Sequence, residues 1–332
     1  MSEQALPTFA DIEAAAARLR GVAQRTPTLR NDHLDRAVGR RTAIKPELLQ
    51  VAGSFKFRGA YNRISQLSAA EKASGVIAWS SGNHAQGVAA AAALCGVRAR
   101  IVMPADAPAI KLDNTRALGA ELVTYDRRTE SREDIAHALA ARDGGVIVPS
   151  FDDPHIIAGQ GTVGLELFQD LTSQGEQVDA LLVCCGGGGL IAGCALAAQA
   201  LSPHTHLFAV EPAHYDDHAR SLQSGQREEA NTRQASICDA LLAPRPGALT
   251  FAVNQPRLRG GLVVTEDEVR NAMRYAFTRL KLVVEPGGAV ALAALLSDKL
   301  DAAYERVAIV LSGGNVDPRL FAAILQGRDE TR

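Results

Sequence analysis

The chain has 332 residues, a net charge of −2 and an apolar share of 47%, which gives room for about two domains with their own cores. With no basic stripe, few aromatics and no apolar run near the roughly 20 residues of a membrane span, nucleic acid and membranes are poor partners. Five irregularly spaced cysteines make neither a disulfide framework nor a zinc site, and residues 1–7 lack a signal-peptide pattern, so the expected home is a reducing cytoplasm.

In chain order, Thr8 with Asp11 three residues on reads as an N-cap for a helix over 11–20. A strand over 42–45 leads into Gly53-Ser54-Phe55-Lys56-Phe57-Arg58-Gly59-Ala60, with a helix-forming run over 60–67 behind it. A lysine between two phenylalanines is an unusual choice for a solvated surface. Partial burial would lower its pKa and free the amine as a nucleophile, as a Schiff-base lysine requires. The structural alternative is a snorkelling lysine with its stem on the rings and its head in water. Strands and helices then alternate: strands over 76–79, 99–103, 121–125 and 146–148, with helices over 84–95, 110–118 and 132–141. After Pro149 a second series places helices over 156–171, 190–201 and 265–280, and strands over 180–184, 206–210 and 307–311. Repeated βα units argue for parallel sheets covered by helices, and two groups of them for two lobes with a cleft between.

Several loops at strand ends carry chemistry. Ser80-Ser81-Gly82-Asn83-His84 joins a strand to a helix, where backbone amides can meet a carboxylate; a capped polar turn is the bland alternative. Gly186, Gly187, Gly188 and Gly189 follow an apolar strand and open a helix, a cradle suited to phosphate. Gly187-x-Gly189-x-x-Ala192 with Glu211 also fits a dinucleotide pattern, which would leave Lys56 without a role. Glu211 and Asp217 around one turn, with a backbone carbonyl between them, could hold a hard cation; the alternative is a solvated acidic turn before a helix. Ser312-Gly313-Gly314-Asn315 closes the last strand, and Glu285-Pro286-Gly287-Gly288 borders the same region.

Taken together, these stretches resemble the fold-type II pyridoxal-phosphate enzymes, in the threonine/serine dehydratase and serine racemase group. The octet, Ser-Ser-Gly-Asn-His84, Ala158-Gly-Gln-Gly-Thr162, the four glycines, Glu211-Pro through Asp217, Lys281-Leu-Val-Val-Glu-Pro286 and Ser-Gly-Gly-Asn315 occur in matching order. The resemblance implies a two-lobed α/β fold like that of the tryptophan synthase β subunit, with parallel-rich sheets and pyridoxal phosphate in the cleft. Residues 1–70 and 151–332 would form the large domain and 71–150 a small mobile one.

The resemblance also implies roles. Lys56 would hold the cofactor and act as base at Cα, with Phe55 against the ring, Asn83 on its 3-hydroxyl and Ser312 on its nitrogen. The glycines 186–189 would cradle the phosphate, and Ser80, Ser81, Gly82, Asn83 and His84 would grip the substrate carboxylate. Ser81, where many threonine dehydratases have alanine, would return a proton from the face opposite Lys56. Glu211, Asp217 and the Tyr215 carbonyl match the Mg²⁺ or Ca²⁺ site of racemase-type members. Phe151 looks like the dehydratase version of its loop, and Ala240 departs from a common glycine. Arg132 is a candidate for a second substrate carboxylate, or an exposed residue paired with a neighbouring glutamate. The reading is a cytoplasmic, homodimeric lyase acting on L-threonine, L-serine or a related 3-hydroxy amino acid. The alternatives are an amino-acid racemase with side elimination, a nicotinamide-dependent dehydrogenase and a non-catalytic binding module.

Overall fold

The structure is a computed structural model, and it describes residues 5–80, 82–107 and 109–328. Among the described residues, nine strands form two sheets. In chain order they are β1 (Arg41–Pro46), β2 (Val76–Trp79), β3 (Ala99–Pro104), β4 (Glu121–Tyr125), β5 (Val146–Ile147), β6 (Ala180–Cys184), β7 (His206–Pro212), β8 (Leu258–Val264) and β9 (Arg306–Leu311). One sheet has the order β4-β3-β2-β5 and the other β1-β9-β6-β7-β8. Every strand pairing in both is parallel. The four-stranded sheet thus comes from one continuous segment, while the five-stranded sheet joins an early strand to four late ones.

Local chemistry explains most elements. β6 and β9 are near-continuous apolar runs because helices cover both faces of their sheet. The helices Gly189–Leu201 and Pro286–Leu296 are apolar all round and almost wholly buried. The helix Phe9–Leu19 starts at the capping box of Thr8 and Asp11. β8 has no counterpart in the expected elements: Gly260 and Gly261 break its strand signal, and Gly261 lies so close to Ala219 that a Cβ there would approach within 2.3 Å.

The Ala158-Gly-Gln-Gly-Thr162 stretch turns out to be a packing device in the helix Pro154–Ser173. A Cβ on Gly159 would meet the Arg58 carbonyl at 2.6 Å, and one on Gly193 would meet the Gly161 nitrogen at 2.4 Å. These glycines let three helices meet backbone to backbone, and one of the three, Lys56–Ser65, carries the lysine of the octet.

Beneath that helix lies a buried ionic cluster. Arg58 donates through Nε to Glu47 Oε2 at 2.7 Å and through Nη1 to Glu166 Oε1 at 2.7 Å. Lys45 Nζ donates to Glu166 Oε2 at 2.7 Å and to the Thr26 carbonyl at 2.6 Å. Lys45, Glu47 and Arg58 are all 0% exposed, yet each charge faces an opposite one.

Candidate active site

The helix bearing Lys56 begins at Lys56 itself, with Phe55 at its N-cap, rather than four residues later. The two flanking phenylalanines point into different cores: Phe55 joins the core of the five-stranded sheet and Phe57 that of the four-stranded sheet. Lys56 therefore stands at the junction of the two units. Gly87 holds its backbone close, since a Cβ there would meet the Lys56 carbonyl carbon at 3.0 Å. The side chain is half-buried and lines a cavity of about 680 Å³.

Lys56 Nζ donates to the Ser150 carbonyl at 2.8 Å and lies 5.2 Å from the centroid of the Phe55 ring. The described residues offer it no carboxylate partner. Burial pushes its pKa down to about 8. The N-terminus of its own helix further disfavours a positive charge there. Both effects favour a free amine near neutral pH, which a surface lysine does not provide.

The cavity gathers the carboxyl ends of strands from both sheets, where ligands bind in open α/β folds. Phe55, Ser80, Gly82, Asn83, His84, Ser312 and the glycines 186–189 all line it, as the sequence led us to expect. Ser81 lies outside the described residues. Asn83 donates through Nδ2 to Glu285 Oε1, and its Oδ1 accepts from Asn315 Nδ2 at 2.8 Å, so its amide has one defined orientation. Burial, and then the charge of Asp239, raise Glu285 to about 7. His84 donates through Nε2 to the Val148 carbonyl at 2.8 Å, and burial and Lys56 push it down to about 3, so it is a neutral ring.

The glycine loop is built to present amides. Gly188 adopts a left-handed φ of +92°. Thr250 Oγ1 donates to the Gly187 carbonyl at 2.6 Å, and Asn254 Nδ2 to the Gly188 carbonyl at 3.2 Å. Among the described residues, the amides of Gly186, Gly187, Gly188 and Gly189 donate to no protein acceptor. A Cβ on Gly187 would strike the Phe151 ring at 2.4 Å, so side chains are excluded where the backbone must curl. Free amides facing the cavity from the start of a helix fit a phosphate group.

The Glu211, Tyr215 and Asp217 cluster lies apart from this cavity. Glu211 is 0% exposed, and its carboxylate accepts from the backbone nitrogens of His218 at 2.9 Å and Ala219 at 2.7 Å, capping the helix Asp217–Ser224. Asp217 is buried with Oδ2 unpartnered. Burial and the neighbouring Asp217 hold Glu211 well above the carboxylate range, and burial pushes Asp217 up to about 7. Two buried carboxyls with an unpaired oxygen fit a hard cation, although no group of three or more His, Cys, Asp or Glu gathers among the described residues.

Sequence reasoning missed the Ser150 carbonyl, and it missed Lys111 and Asp239, an ion pair on the cavity wall. Neither carries a local motif, because backbone carbonyls are sequence-blind and this pair is 128 residues apart. Arg132 pairs with Glu133 at 3.2 Å, as one of its two expectations had it, and also lines the cavity.

The sequence matches the pyridoxal-phosphate dependent enzyme family over residues 19–313. It is 44% identical to an L-threo-3-hydroxyaspartate ammonia-lyase of Pseudomonas sp, over 97% of this chain and 99% of the relative. Among solved structures, maize serine racemase superposes with a TM-score of 0.90 at 36% identity, covering 97% of this chain and 98% of its own. A threonine deaminase of T.th. does so with a TM-score of 0.88 at 43% identity, covering 94% and 99%. The amine of Lys56, opposed to a loop of free amides in a fold shared with these proteins, has its explanation here: the chain belongs to the pyridoxal-phosphate dependent enzyme family.

Proposed function

We propose that the chain is a lyase that converts a 3-hydroxy amino acid to a 2-oxo acid and ammonia, with dicarboxylic 3-hydroxyaspartate as the preferred substrate over L-threonine and L-serine. The observation that carries this reading is the half-buried amine of Lys56, which has no carboxylate partner among the described residues, in one cavity with the free amides of the glycine loop. Pyridoxal phosphate, when bound, withdraws electrons from the substrate Cα. Lys56 would hold the cofactor, and its amine would take the proton from the substrate Cα. The β-hydroxyl leaves as water, and a water molecule returns when the enamine product is hydrolysed, so the net loss is ammonia. The amides of Gly186, Gly187, Gly188 and Gly189 would hold the phosphate, and Asn83 and Phe55 would orient the ring. Ser312 would offer the ring nitrogen a neutral hydroxyl, which would favour prompt loss of a β-group over transamination. Gly82 and Asn83 would present amides to the substrate carboxylate, while His84, being neutral, would contribute shape and no charge.

The dicarboxylic preference rests on Arg227 and Arg245, which line the cavity without a carboxylate partner among the described residues, whereas Arg127 and Arg132 pair with Asp106 and Glu133. Asp152 is already occupied, accepting from the backbone of Ala248, Leu249 and Thr250. The 44% identity to a protein named for L-threo-3-hydroxyaspartate supports the same choice. A divalent cation at Glu211, Asp217 and the Tyr215 carbonyl is part of the proposal. So is a homodimer, consistent with the exposed apolar side chains Leu49, Phe277 and Val283. Five unpaired cysteines suit a reducing cytoplasm. Residues 71–150 are proposed as the smaller, moving domain against 1–70 and 151–332.

The test is a spectrum of the purified chain, followed by borohydride reduction and mapping of the modified lysine, then assays of 2-oxo acid release from 3-hydroxyaspartate, L-threonine and L-serine. A label on any residue but Lys56 overturns the reading. A racemase is the second reading, favoured by Ser81 and the likeness to maize serine racemase. Chiral analysis of recovered L-serine separates the two, since only racemisation leaves D-serine, and Ser81→Ala would abolish it.

A further inference from the structure

Of the ion pairs among the described residues, one alone joins segment 76–147, which builds the four-stranded sheet, to the rest of the chain: Lys111 Nζ with Asp239 Oδ2. We propose that this pair is a positioning contact for the reaction proposed above, holding the four-stranded unit closed over the glycine cradle so that Asn83 and His84 stay in register with Lys56.

Each partner is anchored to its own side. Lys111 lies in the first turn of the helix Ala109–Ala117, which packs against the helix Asn83–Leu94 that begins at the substrate loop. Asp239 opens a short turn, Asp239–Leu241, wedged against the cradle. A Cβ on Gly186 would meet Leu241 Cα at 3.2 Å, and one on Gly287 would meet Ala240 Cβ at 3.1 Å. The pair therefore runs from the substrate loop's supporting helix to the loop that receives phosphate. Both residues line the cavity.

The placement of Lys111 is unfavourable unless the cleft is closed. It is 8% exposed, stands at the positive end of its own helix and has no acceptor for its ammonium other than Asp239 among the described residues. Opening the cleft returns the ammonium to water and leaves Asp239 facing Glu285. Glu285 in turn accepts from Asn83 Nδ2, the deeper contact between the two units. Asp239 raises the Glu285 pKa and Lys111 lowers it, so losing the lysine disturbs the deeper contact as well. The rim pair and the Asn83–Glu285 pair thus reinforce each other, one charged and near solvent, the other fully enclosed.

The chain supplies its own reporter. Trp79, its single tryptophan, ends β2, lines the cavity and is partly exposed. Acrylamide, a neutral quencher, measures how open the cleft is around Trp79 in the purified holoenzyme. Expected are stronger quenching in Lys111→Gln, Lys111→Met and Asp239→Asn, wild-type quenching in Lys111→Arg, and recovery in the exchanged pair Lys111→Asp with Asp239→Lys. KM should rise about tenfold in the single variants, with a smaller change in kcat, and recover in the exchanged pair. Single variants that quench like wild type, or an exchanged pair no better than the sum of its single changes, overturn the proposal. Thermal melts identify any variant that has not folded, and two lysine substitutions keep the test open if Asp239→Asn is lost. Quenching needs no substrate, so it fails or succeeds separately from the proposed reaction.

Discussion

Two regions bury ionisable groups in opposite ways. Under the Lys56 helix, Lys45, Glu47, Arg58 and Glu166 alternate in sign, and every charge meets its complement within hydrogen-bond distance. Around the helix Asp217–Ser224, Glu211 and Asp217 carry the same sign, and Asp217 keeps an oxygen without a partner. Arg58 and Thr26 hold Glu47 below the ordinary carboxylate range in spite of burial, whereas burial drives Glu211 and Asp217 upward. The first region is complete as the chain folds. The second leaves an oxygen of Asp217 without a partner.

Lys56 stands between these cases, a lone cationic group with a carbonyl for company, and the contrast can be broken there first. Lys56→Ala should cut turnover by at least about 10³-fold, read in a 2-oxo acid assay; retained activity would mean that an unpaired buried amine is incidental. Arg58→Met makes the first region resemble the second by leaving Glu47 without its main partner. It should cost about 3–5 kcal/mol of stability in urea denaturation, and a loss below about 1 kcal/mol would show that complementarity matters little there. Asp217→Asn sharpens the contrast from the other side. In the unchanged chain, Mg²⁺ or Ca²⁺ at about a hundredfold over its dissociation constant should add about 3 kcal/mol, seen as a raised melting temperature. In Asp217→Asn that response should vanish, while the cation-free protein melts no lower than the parent.

The smallest effect concerns pH. Because burial holds Lys56 near 8, capture of pyridoxal phosphate by the cofactor-free protein should quicken about tenfold per pH unit below that value and level off above it. A plateau reached only near the ordinary lysine range would contradict the burial argument.

Much of this was legible in the sequence because it is local. Apolar runs such as 180–184 and 307–311 are strands as read, and the four glycines stand at a strand-to-helix turn. The cavity residues Phe55, Asn83 and Ser312 were legible because each lies in a short stretch that, in order with the others, carries the family resemblance. What escaped is either non-local or written in small residues. Lys111 and Asp239 meet only after folding, β8 is hidden by two glycines, and the three-helix contact at Gly159, Gly161 and Gly193 reads in sequence as mere flexibility. The ionic cluster escaped for a further reason: Arg58 was read with its neighbour Lys56, while its partners Glu47 and Glu166 lie on separate elements.

The pairing of β1 with β9 bears on how the enzyme comes into being. As the ribosome releases the chain, β1 and the lysine emerge early, yet the strand that shelters them is made after nearly everything else. The segment from β2 to β5 has all its neighbours close at hand and can fold while synthesis continues. The nascent protein should therefore carry a finished small sheet and an unfinished large one, with the amine waiting beside an absent wall. On the proposed roles, the cofactor's site is complete only when β9 and Ser312 arrive, so newly made chains should pass through a stage that is translated, half folded and still colourless.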